Sequence, residues 1–136
     1  MDKIKIVAKV DNLDEVLSFV DERLEDAGCP VKIQTQIDIA VEEIYVNIAS
    51  YAYGQETGNA DISIEILDDP LTAVISFSDS GIPYNPLEKE DPDITLPAEE
   101  RPIGGLGIYM VKKSMDEVEY EHKEGCNVFT IKKRLS

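Results

Sequence analysis

The chain predicts an α+β fold, a two-layer sandwich in which three helices lie on one face of a mixed, mainly antiparallel sheet. Three observations lead there. Strand-like alternation falls in pairs joined by short turns, as hairpins require. Apolar residues recur at helical spacing in three other segments. Strand–helix–strand crossovers are too few for a parallel sheet. At 136 residues, one domain spanning 1–136 is expected, long enough to bury a real core.

Each element has its own grounds. Residues 3–10 alternate as a strand. Asp11 and Asn12 then stand where a helix cap belongs, ahead of Leu13, Val16, Leu17, Val20 and Leu24 at helical spacing. Gly28 and Pro30 punctuate its end. A longer helix is predicted from about Val31 to Tyr53, with Gly54 as the stop and Ile33, Ile37, Ala40, Ile44, Ile48 and Tyr51 as its apolar stripe. Residues 61–67 and 72–78 read as a hairpin around Asp68-Asp69-Pro70. Residues 84–103 carry four prolines, many acids and little apolar periodicity, so they read as a long loop of the kind that usually has a function. A helix from about Gly105 to Met115 and strands near 117–122 and 127–134, turning at Glu124-Gly125, complete the order β-α-α-β-β-loop-α-β-β.

Composition narrows the function. Thirteen basic residues against 28 acidic give a formal net charge of −15. A duplex nucleic acid needs clustered Lys and Arg to displace counterions, and an anionic membrane surface needs the same, so both are disfavoured. The acidity suits a basic or neutral protein partner, or simply a solvated surface. No apolar run approaches membrane-spanning length, and the N-terminus has no secretory pattern. Cys29 and Cys126 lie far apart and form no C-x-x-C pair. That usage fits a reducing, cytoplasmic location. No Walker phosphate loop, eukaryotic kinase signature or Cys/His zinc cluster is present. His122, the one histidine, falls on a predicted strand and reads as structural.

Three short segments carry chemistry. On the second helix, at about 100° per residue, Glu43 and Asn47 share a face bordering the apolar stripe, while Glu42 points into water. A carboxylate beside an amide in a partly dry site can position a hydroxyl or water and hold magnesium through oxygen. They can equally be two boundary residues of an amphipathic helix. Asp79-Ser80-Gly81-Ile82-Pro83 ends a strand. Its aspartate can accept a hydrogen bond from an exocyclic amine such as adenine's, with Gly81 admitting a flat ring, or the segment is an ordinary Asp-x-Gly turn. Gly104-Gly105-Leu106-Gly107 opens a helix. Free N–H groups there make an anion site, and the glycines also suit a hinge for the preceding loop. Arg101, just before them, is placed to reach a phosphate or to stand in solvent.

In this order, Glu-x-x-x-Asn on a helix, Asp-x-Gly-x-Pro after a strand and Gly-Gly-x-Gly at a helix resemble the Bergerat-type ATP-binding fold of DNA gyrase and the bacterial histidine kinases. The wording from Val41 to Asn47 and from Gly104 to Val118 is most similar to the anti-sigma-factor serine/threonine kinases of bacteria. The resemblance implies ATP and Mg2+ as cofactors. It implies that Asn47 holds the magnesium and that Glu43 is the general base. Asp79 and Gly81, with Pro83 closing their motif, would meet the adenine. Residues 84–103 would form a lid, and Gly104, Gly105, Leu106 and Gly107 would receive the phosphates. Three departures stand out: Tyr51 replaces a frequent histidine, Asn127 stands where a threonine often reaches adenine through water, and the lid is long and acidic. The implied partners are an anti-anti-sigma-type protein, phosphorylated on serine or threonine, and a sigma factor held inactive, which would make the chain a regulator of transcription. A homodimer is also implied. The alternative is a non-catalytic binding module that uses ATP only to set its shape.

Overall fold

The computed structural model describes residues 1–54, 56–88 and 105–136. Strand β1 (Asp2–Val7) leads through a short 3-10 turn (Val10–Asn12) into α1 (Leu13–Asp26) and α2 (Val31–Asn47). Strands β2 (Asn59–Leu67) and β3 (Thr72–Asp79) form the first hairpin, α3 (Gly105–Ser114) follows, and β4 (Glu117–Lys123) and β5 (Cys126–Arg134) form the second. The lid expected at 84–103 lies outside the described residues from position 89 onward, as do Arg101 and Gly104. No helix among the described residues is long and apolar enough to cross a membrane.

The sheet order is β1-β2-β3-β5-β4. Each of its four pairings is antiparallel, so the parallel component expected of a mixed sheet is missing among the described strands. Connectivity explains this. Two helices, not one, separate β1 from β2, and the double reversal returns the chain antiparallel to β1. A single helix separates β3 from β4, and those two strands do run the same way, but β5 inserts between them.

Alternation puts Ala60, Ile62, Ile64, Ala73, Ile75, Phe77, Phe129 and Ile131 on one face of the sheet, all buried. Against them pack Val16, Val20 and Leu24 of α1 and Ile37, Val41 and Ile44 of α2. The C-terminus of α1 closes as the Gly28 signal predicts, with Gly28 N donating to Glu25 O (3.0 Å) and Cys29 N to Leu24 O (3.0 Å). Its N-terminus does not follow the expected cap. The Asn12 amide donates to Val7 O at 2.8 Å instead, anchoring the turn to the end of β1. Fully buried Tyr45 braces the same segment, its hydroxyl donating to Lys9 O (2.7 Å) and accepting from Lys9 N (3.1 Å). The second helix also ends earlier than predicted: after Asn47 it widens into a π turn, Ile48–Ala52. Such turns often mark functional sites in helices.

Between α1 and α2, Asp21 Oδ1 and Asp38 Oδ1 are shut off from solvent, and while both carboxyls are ionised neither oxygen has a donor. Burial, then the hydrogen bond shared with Asp21 and the charges of Asp21 and Glu25, push the Asp38 carboxyl from 3.8 up to about 8. The folded chain therefore binds a proton that the unfolded chain releases. Its contribution to stability is full below about pH 4 and is lost as pH rises to about 8. Asp38→Asn, which keeps a donor toward Asp21 but does not titrate, is expected to melt close to the parent near pH 4 and clearly above it at pH 9. Parallel melting-temperature curves for the two chains across that range would refute a titrating pair here.

Candidate nucleotide site

The inner-face alternation that builds the core runs straight into the site. Ala73, Ile75 and Phe77 are followed at the next inward position by Asp79, and the first inward position of β5 is Asn127, paired with Asp79 in register. They are the two buried polar residues of the described core, 6% and 7% exposed. Burying such groups is costly unless they are hydrogen-bonded. Here they satisfy each other: Asp79 Oδ1 accepts from Asn127 Nδ2 (3.0 Å) and from Gly81 N (2.9 Å). Asn127 Nδ2 also donates to Ile82 O (3.0 Å), and Asn127 Oδ1 accepts from Tyr84 N (3.2 Å) and from the Tyr120 hydroxyl. No described hydrogen bond uses Asp79 Oδ2, which is left as an acceptor for a ligand.

Asp79 and Asn127 line a cavity of about 410 Å³, walled by Ile44, Ile48 and Phe77 on one side and Ile82, Pro83 and Tyr84 on another. Mostly apolar walls with a few fixed polar groups suit a flat heterocycle. Asn47 lines the same cavity; Glu43 does not. The Asn47 amide donates to Glu43 Oε1 at 3.4 Å, so Glu43 adjoins the cavity through Asn47. Helix phase separates the two glutamates as the sequence suggests, with Glu42 exposed and Glu43 half-buried.

Two glycines explain the close fit. At Gly81 any side chain would overlap the Ala52 carbonyl, and the next residue, Ile82, donates its N–H to that oxygen at 2.8 Å. The contact seen for Gly81 is thus the end of the π turn. At Gly107, in the first turn of α3, any side chain would overlap the Glu43 carboxylate. The structure therefore brings Glu43, Asn47 and Gly107 together at one end of the site and Asp79, Gly81, Pro83 and Asn127 at the other. Gly105 and Leu106 belong to the start of α3.

Sequence reasoning missed Tyr120 and Tyr53. Tyr120 takes an inward position on β4, which the alternation of Val118 and Tyr120 would have signalled. The Tyr53 hydroxyl accepts from Ser80 N (2.9 Å) and donates to Asn59 O (2.6 Å), pinning the turn after Asp79. No sequence signal marks it, because both its partners are backbone atoms of other elements.

A family model for the histidine kinase-like ATPase domain matches residues 6–133. The chain belongs to that family. Curated members similar to it include a serine-protein kinase RsbW of Bacillus cereus, 30% identical over 96 residues. RsbW of Bacillus mycoides is 33% identical over 98 residues. Each match takes in 69% of this chain and 60% of the relative, so the chain spans about 60% of the length of these relatives. Among solved structures, the RsbU and RsbW domains of Rv1364c from Mycobacterium tuberculosis superpose with a TM-score of 0.65 at 16% identity, over 99% of this chain and 33% of that one. The histidine kinase domain of the blue-light-activated kinase EL346 of Erythrobacter litoralis gives 0.59 at 15% identity, over 93% of this chain and 60% of that one. These two likenesses establish the ATPase fold. Family membership fits the cavity between α2 and the sheet, and Asp79 at a strand end beneath it.

Proposed function

We propose that this chain binds MgATP between α2 and the sheet and transfers the γ-phosphoryl group to a serine or threonine of a small anti-anti-sigma-type protein. In the same reading it holds a sigma factor inactive in the cytoplasm. The observation that carries the proposal is the placing of Glu43 beside Asn47 and against the first turn of α3, next to a cavity closed by Asp79 and Asn127. The similarity to the RsbW serine-protein kinases supports it.

In this reading Asp79 Oδ2 accepts from the adenine amine, and Asn127 fixes Asp79 for that task. The N–H groups at the start of α3 receive the phosphates. Magnesium fits the donor set in a limited way. Among the described residues no group of three or more acidic, His or Cys side chains is placed to hold a metal ion, so none of them forms a dedicated protein cage. A magnesium ion bound mainly by phosphates and water needs one or two protein oxygens, and the side-chain oxygen of Asn47 would supply one. When bound, it neutralises charge on the phosphates. Glu43 takes the proton from the substrate hydroxyl as that oxygen bonds to the γ-phosphorus and the bond to the β-phosphate oxygen breaks, releasing ADP. Phosphoryl transfer asks little covalent chemistry of the protein, so positioning carries the rate.

A second reading is a binding module without turnover. It is favoured by the contrast between the two ends of the site: Asp79 and Asn127 are buried and braced by several hydrogen bonds, whereas among the described residues Glu43 makes one long hydrogen bond. Labelled ATP, magnesium and candidate partner proteins from the same genome test both. Transfer of label to a partner serine or threonine supports the kinase. A melting shift with MgATP but no labelled partner supports the module. A ligand at a hundred times its dissociation constant stabilises by about 2.7 kcal/mol, so the absence of any shift at millimolar MgATP would sink both.

A further inference from the structure

Asn127 lines the cavity, yet its side chain has no hydrogen-bonding capacity left for a ligand. An asparagine amide has two N–H hydrogens and an oxygen with two lone pairs. Both hydrogens are engaged within the chain, by Asp79 Oδ1 (3.0 Å) and Ile82 O (3.0 Å). Both lone pairs are engaged as well, by Tyr84 N (3.2 Å) and the Tyr120 hydroxyl. The amide cannot turn over to offer anything else. Tyr84 N can only donate and Ile82 O can only accept, so each fixes which end of the amide faces it. Tyr120 must then donate toward Asn127 Oδ1, and it closes the last open position.

The backbone beside it is engaged in the same way. Ser80 N donates to the Tyr53 hydroxyl (2.9 Å), Gly81 N to Asp79 Oδ1 (2.9 Å) and Ile82 N to Ala52 O (2.8 Å). Pro83 has no N–H, and Tyr84 N is held by Asn127. Every main-chain donor from 80 to 84 is thus directed at protein. This end of the cavity offers a ligand one free acceptor, Asp79 Oδ2, and none of these donors. We infer, resting on the nucleotide reading of this cavity, that the base is read at a single point. Asp79 takes a hydrogen from the exocyclic amine, and the ring nitrogen next to that amine receives no hydrogen bond. Tyr120 is the positioning residue that keeps Asn127 closed to the ligand.

The consequence is chemical. In adenine the amine is a donor and the adjoining ring nitrogen is an acceptor. A site that reads both must set a donor beside its acceptor. Here the walls near Asp79 are Phe77, Ile82 and Phe129, which are apolar. The other two tyrosines of the cavity, Tyr51 and Tyr84, are far more exposed than Asp79. A ring nitrogen brought against such walls gives up its water with no protein donor in exchange, which weakens binding. A C–H group at the same place has no hydrogen bond to lose. The ligands this end suits best therefore carry an exocyclic amine with no acceptor beside it. A site that read the ring nitrogen, through Asn127 or through a water, would show the opposite preference.

Calorimetric titration of the chain with MgATP and with magnesium 1-deaza-ATP, in which C–H replaces that ring nitrogen, tests this. The analogue is expected to bind as tightly as ATP or up to about tenfold more tightly. Tyr120→Phe removes the hydroxyl and opens one acceptor position on Asn127 Oδ1. A water taken up there can donate its second hydrogen to the ring nitrogen, so the preference should move toward ATP by about fivefold or more. Lost packing alone would weaken both nucleotides alike and leave their ratio unchanged. If both bind and the analogue is weaker than ATP by more than about threefold, the nucleotide reading stands and the single-point inference falls. If neither binds, both fall. An unchanged ratio in a Tyr120→Phe chain that melts like the parent overturns the role given to Tyr120. If that variant does not fold, the ratio in the parent chain decides the single-point reading by itself.

Discussion

Glu43→Gln is expected to lower the rate of phosphoryl transfer by about 10²–10⁴-fold, the usual contribution of a positioned general base, while MgATP affinity changes little. The expectation follows from where Glu43 sits. Its carboxylate bonds the Asn47 amide and fills the space that glycine leaves at position 107, but it does not line the cavity that would hold the base. Glutamine has the same shape, can still accept from Asn47, and cannot take a proton. Single-turnover transfer to the partner protein reads the chemistry, and calorimetric titration with MgATP reads the binding. An unchanged transfer rate would remove Glu43 as the base. A large loss of MgATP affinity would place it in binding instead.

Asp79→Asn is expected to weaken ATP binding by roughly 10–100-fold, the cost of leaving a buried polar group without a partner. The variant should fold, because the asparagine oxygen can accept from Gly81 N and Asn127 Nδ2 as Asp79 Oδ1 does. What changes is the free position facing the cavity, which becomes a donor where adenine also presents a donor. A base with a carbonyl at that position, as in inosine triphosphate, should lose far less and overtake ATP. Comparative titration with the two nucleotides checks this. An unchanged preference for ATP would show that Asp79 does not read the amine.

Much of the site was legible because its residues continue regular patterns. Period-two alternation along β3 carries Ala73, Ile75 and Phe77 inward and brings Asp79 inward with them. Helical phase turns Glu42 outward and Glu43 toward the core. Each of these follows from the geometry of one element alone. What could not be read depends on two elements meeting. That Gly107 faces Glu43, that Gly81 packs on the Ala52 carbonyl and that Tyr120 bonds Asn127 are contacts between segments distant in the chain. Asp21 and Asp38 look like surface acids on their own helices, and only the packing of α1 on α2 takes one oxygen of each out of water.

The sequence by itself therefore determined which elements form and which face most of them bury, though Tyr51, expected on the apolar stripe of the second helix, lies in the π turn and is 65% exposed. It did so because propensity, periodicity and turn chemistry act over a few residues. Tertiary structure alone decided that the expected mainly antiparallel sheet has no parallel pair among its described strands, since β5 inserts between β3 and β4, a choice made by packing. It also decided that Asn127 would be the partner of Asp79. Their pairing joins positions 48 residues apart, and the reason is physical: two polar groups driven into an apolar core by the alternation of their strands each need a hydrogen bond, and the register supplies one to the other.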